Sequence, residues 1–220
     1  IITPEEFDFV QSEFQKRCMK PYSSTSIYAT KIICGDCGSY FGAKVWHSNS
    51  KYRRVIYQCN SKFKGSHFCT TPHLYEPEIQ EKFLQAFAQY FSQKDVVIKN
   101  CQFALNCLKK QESKKKELQD ELVAVNEKLK EYIQHGGEDF DALNAKYEEL
   151  SAQLDAEEAA ESDRKRRIAK MQKILQTLKK TDSVLETFDE SVWNAVLENL
   201  TVFHDGSLVF LFRDGTEIKV

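Results

Sequence analysis

An α+β fold is predicted by three features of the 220-residue sequence: two cysteine pairs bracketing strand-like runs, a pair of long heptad-patterned segments, and Asp-Gly turns between apolar runs near the end. Together they describe a small antiparallel β domain of zinc-ribbon type with flanking helices, interrupted by a long inserted antiparallel coiled-coil hairpin. Four segments follow: 1–30, a helix and linker ending an upstream domain; 31–95, the first part of the ribbon domain; 96–181, a helical base and the inserted hairpin with its tip near 134–139; and 182–220, a helix and closing strands.

The opening Thr3-Pro4-Glu5-Glu6 is a helix start, with Thr3 able to cap free amides, Pro4 suited to the first helical position and Glu6 placed for a capping box. Phe7, Val10 and Phe14 follow at helical spacing, and residues 18–30 have the Pro, Ser and Thr content of an extended connector. The chain opens without Met and directly on this helix, so it reads as a fragment whose helix ends an upstream domain. No apolar run approaches the roughly 18 residues needed to span a bilayer, and the N-terminus lacks a basic region and an apolar signal core. A non-secreted, cytoplasmic protein without membrane partners is expected. Phosphate-binding glycine loops are also missing from its sequence, which weakens the nucleotide-binding enzyme classes that depend on them.

Seven cysteines in such a chain argue for metal-bound or free thiols over a disulfide framework. Cys34-Gly35-Asp36-Cys37-Gly38 is followed by Cys59 after 21 intervening residues and by Cys69 after nine more. Two thiol pairs at this spacing suit a tetrahedral Zn²⁺ site made by Cys34, Cys37, Cys59 and Cys69. His67 is the alternative fourth ligand, and Cys69 is preferred because four thiolates make the commoner closed structural site. Strand-like runs at 39–45 and 52–58 lie between the pairs, joined by a polar turn around Ser48-Asn49-Ser50. A closed site leaves no position for substrate water, so the metal is expected to hold the fold and not to catalyse. The redox reading of the first pair needs a surrounding βαβ pattern, which is not evident.

Net charge is −2, yet residues 31–73 carry seven Lys and Arg against Asp36 alone. Lys44, Lys51, Arg53, Arg54, Lys62 and Lys64, interleaved with Tyr40, Trp46, Tyr52 and Phe63, suit neutralisation of phosphates with some groove contact. The plainer alternative makes the aromatics a small core and the cations solubilising groups.

Ile79, Phe83, Leu84, Phe87 and Phe91 form one apolar helical face. Farther on, Leu118, Leu122, Val125, Leu129 and Tyr132 recur at alternating steps of four and three, the pattern of a coiled-coil seam. Beyond Gly136-Gly137, the seam resumes at Phe140, Leu143, Tyr147, Leu150 and Leu154. One antiparallel register pairs Leu118 with Leu154, Leu122 with Leu150, Val125 with Tyr147, Leu129 with Leu143 and Tyr132 with Phe140. Toward the base, the same register opposes Lys115 with Glu157 and Gln111 with Glu161, a polar interruption expected to act as a hinge. At the tip, Tyr132, Ile133, His135 and Phe140 either cap the seam or make contacts between copies. After that, residues 188–200 read as a short helix capped by Asp189, and 200–203, 207–212 and 217–220 as strands separated by Asp205-Gly206 and Asp214-Gly215. Such late strands need a sheet to join, which makes the helical hairpin an insertion into the ribbon domain.

The ordered set KIICGDCGSYFGAKV, YQCNSKFKGSHFCTTP, a long helical hairpin and TVFHDGSLVFLFRDGTEI resembles the C-terminal part of the large serine recombinases, which include phage integrases and transposon recombinases. The opening IITPEEFDFVQSEFQKR resembles the last helix of their preceding domain. The resemblance implies a ribbon domain that binds half of an attachment site on double-stranded DNA. It implies a coiled coil that contacts other recombinase subunits and governs synapsis and direction, with a directionality factor as a further partner. By position, Cys34, Cys37, Cys59 and Cys69 are the implied zinc ligands, and Arg17 and Lys20 lie where the family's linker follows DNA. The family's chemistry is attack of a serine hydroxyl on a DNA phosphodiester, from a domain outside this sequence. No serine here, Ser23 and Ser24 included, is assigned to catalysis, so the chain is not expected to be an enzyme although its parent would be a DNA recombinase. The competing reading is a zinc-stabilised protein-interaction adaptor that works through the arm without specific DNA binding.

Overall fold

The computed structural model describes residues 7, 10, 11, 26–64, 69–110, 114–135 and 140–220. The element order is β1 (Ile32–Cys34), β2 (Phe41–Trp46), β3 (Arg54–Cys59), β4 (Leu74–Tyr75), α1 (Glu76–Ser92), α2 (Lys94–Lys110), α3 (Lys115–His135), α4 (Phe140–Lys180), α5 (Glu190–Val196), β5 (Leu197–Val202), β6 (Leu208–Phe212) and β7 (Glu217–Lys219). Two compact units divide the chain: Ile1–Phe103 with Ala169–Val220, and Ala104–Ile168.

The first unit holds two sheets, one ordered β1-β5-β6-β7 and one ordered β2-β3-β4. The late strands thus join a strand of the cysteine-bearing segment, as the sequence leads one to expect. The expected all-antiparallel arrangement needs one correction, because β1 and β5 run parallel, with Ile32 beside Leu200 and Cys34 beside Val202. Parallel neighbours cannot be joined by a tight turn and need a crossover connection. The chain between β1 and β5, residues 35–196, supplies it. The helix expected over 188–200 is also shorter, since Leu197 is extended (φ −90°, ψ 126°) and already belongs to β5.

Local chemistry explains the ends of these elements. Asp189 caps α5 by accepting hydrogen bonds from the Ser191 and Val192 amides at 2.7 and 3.1 Å, and the Ser191 hydroxyl at 2.6 Å, together with these amides, holds its carboxyl below the usual range. Glu78 accepts from the Tyr75 amide at 2.8 Å at the start of α1. Gly206 and Gly215 take positive φ (82° and 94°) in the β5–β6 and β6–β7 turns, a conformation that costs glycine little.

The core forms where α1 presents Ile79, Phe83, Ala86, Phe87 and Tyr90 to the four-stranded sheet. Phe83 reaches Phe210 (6.2 Å between ring centres) and Tyr90 stacks flat on Phe212 (4.0 Å). Trp193 of α5 is fully buried among Tyr28, Phe83 and Phe188, and its Nε1 donates to the Ile27 carbonyl at 3.3 Å. Lys31, counted among the basic residues of the ribbon, is 6% exposed. Its ammonium donates to the Leu197 carbonyl at 3.1 Å and lies over the Trp193 ring. It therefore ties β1 to the start of β5 and adds nothing to the displayed charge.

In the second unit, Val125 of α3 and Leu150 of α4 are buried. Near one end of α3 the Tyr132 and Phe140 rings lie 5.5 Å apart, and near the other the Lys115 ammonium meets Glu158 at 2.9 Å. Within α4, Glu157 faces Arg164 at 3.7 Å and Glu161 pairs with Lys165 at 2.8 Å. Gln111 lies outside the described residues, as does the side chain of His135. Among the described residues, no helix is long and apolar enough to cross a membrane.

Candidate metal centre and nucleic-acid interface

Cys34 ends β1, Cys37 follows one turn later, Cys59 ends β3 and Cys69 precedes β4. The turn between the first two closes by a hydrogen bond from the Gly38 amide to the Cys34 carbonyl at 2.8 Å, and Gly38 takes φ +69°. Gly35 serves differently from Gly38: its amide donates to the Val202 carbonyl at 2.8 Å, and a Cβ there would lie 2.7 Å from the Phe203 ring. Its missing side chain lets the cysteine turn approach β5.

The four Sγ atoms lie within 4.8 Å of one another, with 3.5 Å between Cys37 and Cys59 and 3.7 Å between Cys59 and Cys69. A disulfide would need about 2.05 Å. Four thiolates around one Zn²⁺ at about 2.3 Å would be separated by about 3.8 Å along each tetrahedron edge. The cluster therefore has the size and donor chemistry of a four-thiolate zinc site. Three of its cysteines are buried and Cys37 is exposed.

Without a cation the thiols cannot ionise together. Burial raises Cys37, but hydrogen bonds from Cys69, Ser39 and Cys59 outweigh it and hold that thiol at about 6. Burial pushes Cys59 up to about 11, and hydrogen bonding to Cys37 together with burial pushes Cys69 up as well. One negative charge settles first, on the most exposed sulfur, and Cys59 and Cys69 hold their protons more tightly until a cation balances them. Cross-braces hold the two cysteine turns in place. Asp36 accepts from the Thr70 amide and hydroxyl at 3.2 and 3.1 Å, Ser39 and Ser61 hydroxyls meet at 2.8 Å, and the Lys62 ammonium donates to the Thr71 carbonyl at 2.8 Å. Lys62 is thus committed to the framework beside the cluster. His67 lies outside the described residues.

The β2–β3 hairpin carries most of the remaining cations. Residues 43–54 are exposed without a break, and within them Lys44, Lys51, Arg53 and Arg54 face solvent. Lys64 is exposed as well, farther along the chain. The aromatics interleaved with these cations are not a hidden core: Trp46 is 39% exposed, Tyr52 58% and Phe63 74%. Hydrogen bonds from the Ser50 amide to His47 and from the Arg53 amide to Ser50, both 3.1 Å, fold the hairpin loop. Two residues missed by sequence reasoning stand at its loop end. The His73 ring packs 4.8 Å from Trp46 and 5.2 Å from Tyr75. Arg17 and Lys20 lie outside the described residues.

Residues 27–88 match the family model described as the recombinase zinc beta ribbon domain. That span includes all four clustered cysteines and the whole β2–β3 hairpin, and over it the resemblance read from the sequence is borne out. No curated protein matches the chain in sequence. Among solved structures, a chain titled "Crystal Structure of a LSR-DNA Complex" is 18% identical with a TM-score of 0.43, over 96% of the present chain. The present chain spans 65% of that chain.

Proposed function

Because residues 27–88 match the model of the recombinase zinc beta ribbon domain, we propose that this chain is the DNA-binding C-terminal region of a site-specific serine recombinase. The observation that carries the reading is the hairpin over residues 43–54, an exposed two-stranded ribbon with four cations and two aromatics inside that family's domain. A two-stranded ribbon fits the major groove of B-form DNA, about 12 Å wide. Cations along such a ribbon reach phosphates on either side and fix its register. Cys34, Cys37, Cys59 and Cys69 would hold Zn²⁺, which supplies cohesion between the two cysteine turns. The chemistry of strand cleavage belongs to a catalytic domain of the parent recombinase, and this chain contributes recognition of one half of an attachment site.

In the same reading α3 and α4 form an antiparallel coiled-coil arm. The burial of Val125 and Leu150, the Tyr132–Phe140 contact and the Lys115–Glu158 ion pair support it, since all fit the heptad register read from the sequence to within one residue. The arm's tip, with Ile133 73% exposed beside Tyr132, His135 and Phe140, meets other recombinase subunits. The polar layers at Lys115, Glu157, Gln111 and Glu161 are its soft point, and a directionality factor acts by redirecting the arm.

Reversing two hairpin charges tests the DNA-binding part directly. Each phosphate contact contributes about 0.9 to the slope of log affinity against log salt. The double variant R53E/R54E is expected to lower that slope by about 2 and to weaken duplex binding at least tenfold at moderate salt, with zinc content unchanged. Unchanged duplex affinity in a zinc-loaded variant would favour the adaptor reading instead.

A further inference from the structure

The loop end of the β2–β3 hairpin holds an open cleft lined by Trp46, His47, Tyr52, Arg54 and Tyr75. Trp46 stands opposite Arg54 in the β2–β3 ladder, and Ile56 stands opposite Tyr75 in the β3–β4 ladder. Directly opposed residues share a face of a sheet, so Lys44, Trp46, Arg54 and Tyr75 all project to one side. His73 braces two of the rings, lying 4.8 Å from Trp46 with its Nε2 3.3 Å from the Tyr75 hydroxyl. The Lys51 ammonium lies over the Tyr52 ring at 5.2 Å. The result is a wall of positioned rings with a planar guanidinium and an ammonium beside it.

We infer that this cleft is a seat for one sugar-phosphate unit of duplex DNA, with Arg54 on the phosphate and the Trp46 and Tyr52 rings against the deoxyribose. The inference rests on the DNA-binding reading above and extends it to a residue-level contact. Its chemistry favours backbone over base edges. Among the described residues no carboxylate and no carboxamide lines the cleft, so adenine and cytosine have no reader there, and Arg54, whose fork suits guanine as well as phosphate, stands among rings with no second base-reading group. A guanidinium fork matches a phosphate in two parallel hydrogen bonds. Apolar rings beside it exclude water from that pair once the duplex is seated. The seat would thus fix where the hairpin sits on the duplex and leave sequence reading to the hairpin's other side chains.

The test uses the whole zinc-loaded chain and two duplexes, one selected from a random pool and one scrambled. Trp46→Ala is expected to weaken both by about tenfold, in the range of a lost aromatic contact to nucleic acid, with the salt slope unchanged. W46F is expected to restore most of the loss. Arg54→Ala is expected to lower the slope by about 0.9 on both duplexes. Tyr52→Ala, at a more exposed ring, is the second probe should W46A lose zinc. Wild-type affinity in W46A and Y52A would overturn the seat, as would a loss confined to the selected duplex, which would make the cleft a base reader. Failure of the wild-type chain to bind either duplex in a salt-dependent way would instead overturn the DNA-binding reading itself.

Discussion

Cys59→Ser is expected to abolish stoichiometric zinc binding and unfold the β2-β3-β4 sheet. Cys59 is buried at the end of β3, and its sulfur lies 3.5 and 3.7 Å from those of Cys37 and Cys69, so it sits at the centre of the cluster. A serine hydroxyl is a poor ligand for this cation and would leave three thiols with an incomplete shell. Structural zinc contributes roughly 10 to 16 kcal/mol of apparent binding free energy at neutral pH, comparable to or larger than the whole stability of a typical domain. Besides the metal, the three-stranded sheet is held by buried Phe41, Ile56, Tyr57 and Leu74 at its inner part, while β4 has only two residues and the outer half of the hairpin is exposed. Metal analysis and circular dichroism before and after chelation provide the check. One zinc per wild-type chain, none in C59S and loss of strand signal on chelation are the expected results. A C59S chain that keeps full strand signal would show that the metal is dispensable for the fold.

Trp193→Ala is expected to destabilise the first unit by about 3 to 5 kcal/mol, the range for removing a fully buried tryptophan. Its ring contacts Tyr28 and Phe188, which come from opposite ends of the sequence, and Phe83 of α1. The indole also donates to Ile27 and lies beneath the Lys31 ammonium. Truncation therefore opens a cavity and removes a cation-ring contact from a lysine that is buried. A denaturant midpoint lowered by that amount, at an unchanged slope, is the expected readout. A shift of less than 1 kcal/mol would mean that α5 and β5 are not integral to this unit.

The parts of the fold legible in the sequence are those governed by near neighbours. The cysteine turn, the Asp189 cap and the two Asp-Gly turns each depend on residues within a few positions, and the structure places each as its sequence signal implies. The apolar face of α1 is legible in part: Ile79, Phe83 and Phe87 are buried as their spacing implies, while Leu84 and Phe91 are half-buried and Ala86 and Tyr90 complete the face. What the sequence hid depends on partners brought together by the fold. Lys31 looks like a surface cation until β5 arrives beside β1 and offers it a carbonyl. Lys62 looks like a phosphate ligand until the second cysteine turn places the Thr71 carbonyl in reach. The parallel β1–β5 pairing has no local signature, because its partners lie on either side of the long helical segment. His73 carries no local signal of its place, and only the β3–β4 pairing of Tyr57 with Leu74 brings it against Trp46. Charge counted along the chain therefore overstates the displayed charge of the ribbon, and the aromatic part of its surface is understated.

Whether the zinc-built ribbon recognises duplex DNA through its exposed hairpin is decided by selecting a random duplex pool with the whole chain at two salt concentrations, recording zinc content on the same sample. The expected result is one zinc per chain and enrichment of a defined sequence whose binding weakens steeply with salt. Folded, zinc-loaded chain that enriches no sequence and binds duplex equally at both salt concentrations would contradict that recognition.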